Sequence, residues 1–264
     1  MNRSMRVLLF ALLGWLMTVS GAAAATPQEI VGAEALEQLR GKTVLLAGAT
    51  GNNGSAVREQ LTELGVRVRA MSRNGDKARK KFGDNHDWVS ADVTEPATLP
   101  AVLDGVDVVI WAVATARPWG GNRPEMIDYQ GVINVADAAK AAGAQRMVMI
   151  TSSVSGKEDH FLNWIGDMLI WKAKGEQAVM ESGLEYVVVG PAGINFEAGG
   201  RAPIKMVPRA DYVPGQRVTS GDLASVVIAA AALPEAANRV FSVSNGEGAP
   251  ILNWQRQFAE LPAK

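Results

Sequence analysis

The residues with the clearest chemistry are Gly48-Ala49-Thr50-Gly51-Asn52-Asn53-Gly54, a glycine-rich run between an apolar stretch (43–47) and a segment of helical spacing (55–61). A strand, a glycine turn and a helix start, in that order, form a cradle for a dinucleotide pyrophosphate. Gly48 permits the tight turn, Gly51 lets backbone approach the phosphates, and Gly54 lets the helix pack closely on the strand. Thr50, Asn52 and Asn53 complete the loop, and the first helix amides present the positive end of the helix dipole to the anion. A structural turn on a similar fold has the same glycine spacing. The flanking strand and helix favour the cradle.

Such a cradle needs a parallel sheet behind it, and the chain predicts one. Strand-like apolar runs fall at 43–47, 66–71, 87–91, 106–113, 146–151, 186–190 and 239–243. Several are apolar along their whole length, as strands are when both faces of a sheet are covered. Helical patterns alternate with them at 55–64, 76–82, 96–103, 125–142, 165–182 and 222–232, after a lead-in helix at 27–41. The alternation predicts an α/β fold: a doubly wound, Rossmann-type parallel sheet in a single domain covering 26–264. Residues 199–219, rich in proline and glycine, break the alternation and predict either a small lobe on the substrate side or a long connection.

The first 25 residues stand apart. Arg3 and Arg6 precede an apolar run at 7–19, and Ala22 to Ala25 offer small-residue cleavage sites. This is the layout of a secretory signal peptide, with an uncleaved membrane anchor as the alternative. The arginines lie on the N-terminal side and Glu29, Glu34 and Glu37 follow, which places the domain outside the cytoplasm, exported or tethered to a membrane. A net charge of -1 makes no electrostatic case for nucleic acid or for an anionic membrane. With no cysteine, the chain has no disulfide, thiolate metal site or cysteine nucleophile. His86 and His160, far apart and without a carboxylate cluster, do not make a metal site.

Further motifs extend the cradle into a family pattern: Ser72-Arg73-Asn74, Ala91-Asp92-Val93, Asp128-Tyr129-Gln130-Gly131, Thr151-Ser152-Ser153, Trp171-Lys172-Ala173-Lys174-Gly175-Glu176, and Gly190-Pro191-Ala192-Gly193. With these the chain resembles the atypical short-chain dehydrogenase/reductases, in the NAD(P)H-binding branch with NmrA-like and biliverdin-reductase-B-like proteins. The resemblance runs from Lys42 to about Gly246 and carries no substrate specificity. It implies cofactor contacts from the cradle, from Ser72 and Arg73, from Asp92 and Val93 beside the adenine, from Ala112 and Ala114 along the fourth strand, and from Lys172 and Pro191. Arg73 stands where an NAD enzyme usually carries a carboxylate, so NADP is favoured over NAD: a guanidinium pairs well with a 2′-phosphate, and the Ser72 hydroxyl can assist. Alternatively, Arg73 belongs with Lys77, Arg79, Lys80 and Lys81 to a solvated basic helix edge, and Asp92 is a helix-capping turn carboxylate.

The resemblance also exposes a gap. Conventional members place a tyrosine four residues before a lysine, with a serine on the preceding loop. Here Lys172 aligns with the lysine and Ser152 or Ser153 with the serine, which makes these three the catalytic candidates, but the tyrosine position is Met168. A thioether has no proton to give. Lys172 would then hold the nicotinamide ribose, unless Lys174 does so or both face solvent. Gly190 is a second departure, standing where many relatives have arginine. On the loops, Trp119 either stacks on a planar ligand or anchors in a crevice, His160 either donates a proton or lies in water, and Arg117 and Arg123 either bind an acidic substrate or point to solvent. The apolar excess at Trp164, Ile165, Met168, Leu169 and Trp171 predicts a pocket wall or an oligomer contact. Two functional expectations follow: an NADP-dependent reductase of a small planar or carbonyl-bearing molecule, or a non-catalytic NADP-responsive sensor or assembly protein with a protein partner.

Overall fold

The computed structural model describes residues 23–115, 118–248 and 253–263. Two short helices, α1 (Pro27–Val31) and α2 (Ala33–Leu39), stand where one lead-in helix was expected, with Gly32 turning the chain between them. Alternating elements follow: β1 (Thr43–Ala47), α3 (Asn52–Glu63), β2 (Arg67–Ser72), α4 (Gly75–Phe82), β3 (Asp87–Ser90), α5 (Leu99–Leu103) and β4 (Val108–Trp111). After β4 come a π-helical segment (Glu125–Gly131), α6 (Val132–Ala141), β5 (Arg146–Ile150), α7 (Met168–Glu181) and β6 (Glu185–Pro191). The chain ends with β7 (Gly193–Asn195), β8 (Ile204–Pro208), β9 (Arg217–Thr219), α8 (Ser220–Ala232), β10 (Arg239–Asn245) and α9 (Trp254–Glu260). Among the described residues no helix is long and apolar enough to cross a membrane.

Eight strands form one sheet in the order β3-β2-β1-β4-β5-β6-β10-β8, parallel throughout except for β8. The strand order reverses direction between β1 and β4, and the crevice beyond their carboxyl ends is where an open α/β sheet binds ligands. Two apolar cores cover the faces. One joins α1, α2, α3, α8 and α9 to the sheet, and the other joins α5, α6 and α7 to its opposite side. All thirteen residues of α8 are buried, because α1, α2 and α3 cover the side that the sheet leaves open. A helix apolar all round must be enclosed. Arg146 closes its far end: Nη1 donates to the Ala230 and Leu233 carbonyls at 3.0 and 2.8 Å, while Glu185 holds the guanidinium at 2.6 Å. A cation there also meets the negative end of the helix dipole.

The segment 199–219 proves to be two things at once. β8 joins the main sheet as its antiparallel edge, and only the short β7–β9 pair forms a separate lobe. The sequence did not reveal β8 because Pro203 precedes it, Pro208 is its last residue, and an edge strand needs only one side of its ladder. The expected helix at 125–142 is also divided, opening with the π-helical turn before α6. The N-terminal signal or anchor reading falls on residues 1–22, outside the described residues.

Behind the cradle, Arg58 of α3 is buried between Phe82 and Trp88, its carbon centre 4.6 and 5.1 Å from the two rings. Its Nη1 donates to the Ala49 carbonyl at 2.7 Å, tying the glycine turn to the helix. His86, between the polar residues Asn85 and Asp87, is buried edge-on to Trp88. The Thr62 hydroxyl donates to the Arg58 carbonyl, so His86 Nδ1, 3.2 Å from Thr62 Oγ, must be the donor between them. Burial first, and the nearby Arg58 cation second, hold the His86 pKa below its ordinary 6.5. The unfolded chain therefore binds this proton at higher pH than the folded chain. The stability involved is fully present above 6.5 and is lost as pH falls below it. Thermal melts between about pH 7 and about pH 5.5 should show a smaller decline for His86→Phe than for the parent. Equal slopes would remove this assignment.

Candidate cofactor-binding site

A cleft of about 580 Å³ opens at the carboxyl ends of β1, β2, β3 and β4, lined by Gly48, Thr50, Gly51, Ser72, Arg73, Asp92, Val93, Ala112 and Ala114. These nine carry the motifs of the sequence; Met71, Ala91, Val113, Thr115, Asn122 and Ile127 line it as well. The cradle has no spare room at two glycines. At Gly48, with φ of +86°, a Cβ would lie 2.7 Å from the Ala112 carbonyl carbon and oxygen. At Gly54 it would lie 2.1 Å from the Gly48 carbonyl oxygen. Gly51 has no such crowding, and it caps α3 without any side-chain bond to the helix amides. The first turn of α3 is thus left open to an anion. The Thr115 hydroxyl in the lining and the Asn53 Oδ1 beside the cradle are buried without protein partners. Asn52 turns the other way, toward a shallow concavity with Ser55, Glu59, Phe196 and Ser220.

The adenosine end is set by β2 and β3. Arg73 is exposed at the end of β2 and reaches across the cleft to Asn122, Nη1 to Oδ1 at 3.3 Å. Ser72 Oγ accepts the Asn74 amide at 3.1 Å, and Asn74 caps α4 by accepting from Lys77 N. Asp92 is the carboxylate among the described lining residues, and its Oδ1 takes both the amide and the hydroxyl of Thr94 at 2.9 and 2.8 Å. The turn therefore occupies that oxygen, while the cation at the end of β2 faces the cleft.

The other predicted residues lie beyond the lining. Lys172 is buried in α7, its Nζ donating to Asp128 Oδ1 at 2.7 Å. Asp128 is fully buried, and its second oxygen has no partner. Gly175 lets the π-helical turn approach α7 this closely, since a Cβ there would lie 2.0 Å from the Asp128 carbonyl oxygen. Ser153 donates its hydroxyl to the Gly190 carbonyl at 2.6 Å, and its amide binds the Pro191 carbonyl. Both atoms are spent on backbone. Ser152 is half-buried, accepts the Val154 amide and keeps its hydroxyl hydrogen. Sequence reasoning missed the group below this loop. Arg209 holds both Glu176 oxygens at 2.9 Å, Glu176 accepts the Thr151 hydroxyl at 2.6 Å, and a Cβ on Gly190 would lie 3.0 Å from Arg209 Nη2. A guanidinium from beyond β8 thus fills the space beside Gly190. Arg209 lay in the segment without periodicity, so no pattern pointed to it.

A profile of proteins described as NAD(P)H-binding matches residues 48–234, most of the chain and all of the cleft. The chain belongs to the NAD(P)H-binding family. Sanguinarine reductase from Eschscholzia californica is 26% identical over 262 residues, covering 83% of this chain and 96% of its own. Protein TIC 62 from Arabidopsis thaliana, chloroplastic, is 26% identical over 84% of this chain, which spans 38% of that longer protein. Among solved structures, ChuY from Escherichia coli O157:H7, described as an anaerobillin reductase, superposes with a TM-score of 0.65 at 20% identity. That likeness covers 80% of this chain and all of ChuY, and it is one of fold.

The remaining loop candidates can be placed against this family framework. His160 Nδ1 accepts the Leu162 amide and its ring stacks on Phe161, so the imidazole caps a turn. Arg123 pairs with Glu125 at 2.9 Å, and Arg117 lies outside the described residues. Trp119 is exposed, not anchored in a crevice. Of the apolar residues Trp164, Ile165, Met168, Leu169 and Trp171, which run into the start of α7, only Leu169 is buried; Trp171 packs at a tilt against Tyr129 with ring centroids 5.8 Å apart, and Lys174 lies 4.0 Å over the Trp171 ring. Among the described residues no three His, Asp or Glu side chains converge on a possible metal position.

Proposed function

We propose that this NAD(P)H-binding protein is an NADPH-dependent reductase of a small planar or carbonyl-bearing acceptor. The observation that carries the cofactor choice is the pairing of an exposed Arg73 at the cleft with an Asp92 whose Oδ1 is engaged by Thr94. The first turn of α3 would hold the pyrophosphate, Arg73 and Ser72 the 2′-phosphate, and Thr115 a hydroxyl farther along. When bound, the nucleotide supplies a hydride; the protein orients it and limits water. Met168 has no proton to donate, and Lys172 is committed to Asp128. That favours acceptors that need no acid from the protein, their proton coming from water or through the Ser152 hydroxyl. Similarity to sanguinarine reductase over nearly its full length supports reduction as the reaction class.

Arg73→Ala is expected to weaken NADPH binding roughly ten- to hundred-fold and NADH binding little, as loss of charge-assisted bonds to one phosphate would. Calorimetry reads both. Equal loss for both nucleotides would end the 2′-phosphate assignment. NADPH oxidation with quinones, flavins and aldehydes then tests the reaction.

The same Met168 and the buried Lys172–Asp128 pair support a second reading, a non-catalytic NADP-responsive protein. It requires tight NADPH binding, no turnover with any acceptor, and a partner whose affinity changes with the cofactor. By linkage, that partner changes cofactor affinity by the same factor.

A further inference from the structure

Arg58 is a cation in an apolar compartment. Its side chain is 2% exposed, lies over the Phe82 and Trp88 rings, and leaves Nε without a partner. An apolar side chain of similar length would fill this space at lower cost, because a buried guanidinium needs its N–H groups met. Its ion pair does not offset the burial. Glu59, 3.1 Å from Nη2, is 68% exposed, and a contact so open to water contributes little. Inside the protein, Arg58 donates from Nη1 to the Ala49 carbonyl at 2.7 Å.

That bond fixes a peptide plane. The Ala49–Thr50 peptide is trans, and in a trans peptide the C=O of one residue and the N–H of the next point in opposite directions. With the Ala49 carbonyl drawn inward to Arg58, the Thr50 amide points outward, on the side where Gly48, Thr50 and Gly51 line the cleft. The neighbouring amides are occupied: Ala49 N donates to the Met71 carbonyl at 3.2 Å and Gly51 N to the Gly48 carbonyl at 3.0 Å. Among the described residues the Thr50 amide has no protein partner.

We infer that Arg58 is a positioning residue for the dinucleotide, holding the Ala49–Thr50 peptide so that the Thr50 amide donates to the pyrophosphate. This rests on a nucleotide occupying the cleft and is independent of turnover. Arg58 does not touch the ligand; it acts through one peptide plane. It serves the pyrophosphate common to NADP and NAD, whereas Arg73 faces a 2′-phosphate.

The full chain is titrated by calorimetry with NADP, NAD and adenosine 2′-phosphate, the last of which lacks a pyrophosphate. Arg58→Met keeps an apolar stem over the two rings and removes the donor. Its affinity for NADP and NAD should fall alike, about ten-fold, as loss of one hydrogen bond to a charged group would. Adenosine 2′-phosphate should bind as before. Arg58→Lys, which can still donate to the Ala49 carbonyl, should restore most of the loss. Equal weakening of all three ligands would mean a general loosening of the fold and overturn the inference, as would unchanged NADP affinity in Arg58→Met. The parent protein gives a check that needs no variant. In amide nitrogen–proton correlation spectra, the Thr50 proton should move downfield with NADP and stay in place with adenosine 2′-phosphate. A Thr50 signal that ignores bound NADP sinks the inference and leaves the cofactor reading intact. If the parent binds none of the three ligands, the cofactor reading itself fails, and the inference with it.

Discussion

Lys172→Met should cost the fold about 3–5 kcal/mol, because it leaves the fully buried Asp128 carboxylate without its counter-charge. Urea unfolding would show this as a large drop in midpoint. A second substitution, Asp128→Leu, should recover most of the loss, since replacing a buried ion pair with apolar groups of similar volume is often neutral. The double variant separates two roles that a single variant confuses. With Lys172 acting through Asp128, the repacked protein binds NADPH as the parent does. If the double variant is stable yet binds NADPH far more weakly, Lys172 reaches the nucleotide and the ion pair is secondary.

Gly54→Ala is the second large effect. One methyl at this position would stand 2.1 Å from the Gly48 carbonyl oxygen, backbone that cannot swing aside as a side chain can. The overlap must push α3 away from the turn that Arg58 holds at Ala49. Overpacking of this kind costs about 1–3 kcal/mol. The functional cost is larger: the α3 amides and the Gly48–Gly51 turn would no longer face one phosphate together, and a displacement near 1 Å can cost about a hundred-fold. NADPH affinity should fall by about that factor while the far-UV circular dichroism is retained. Unchanged affinity would mean that the cradle is a structural turn. Gly51→Ala, where a Cβ meets nothing closer than 3.4 Å, serves as the milder companion.

The parallel strands were legible for a physical reason. Val44, Leu45 and Leu46, or Met147, Val148 and Met149, are apolar in succession because both faces of each strand are buried, and such runs stand out in any sequence. The cradle was legible because tight backbone approach admits only glycine at Gly48 and Gly54. β8 was not, being short, preceded by Pro203, closed by Pro208 and paired on one side alone. Nor was the burial of His86, whose neighbours in sequence are polar while its cover comes from Trp88, Thr62 and Arg58.

By itself, then, the sequence determined the strand–turn–helix turn, the order of the sheet-forming runs, the cation at Arg73 and the thioether at Met168. These are local properties: backbone freedom, alternation and residue type act within a few positions along the chain. Which charges neutralise each other was decided by tertiary structure. The partners Lys172 and Asp128 are 44 residues apart and Arg209 and Glu176 are 33 apart. No spacing rule links them, because they meet only where the packing of α7 against the π-helical turn, and the return of the chain from β8, bring them out of water together.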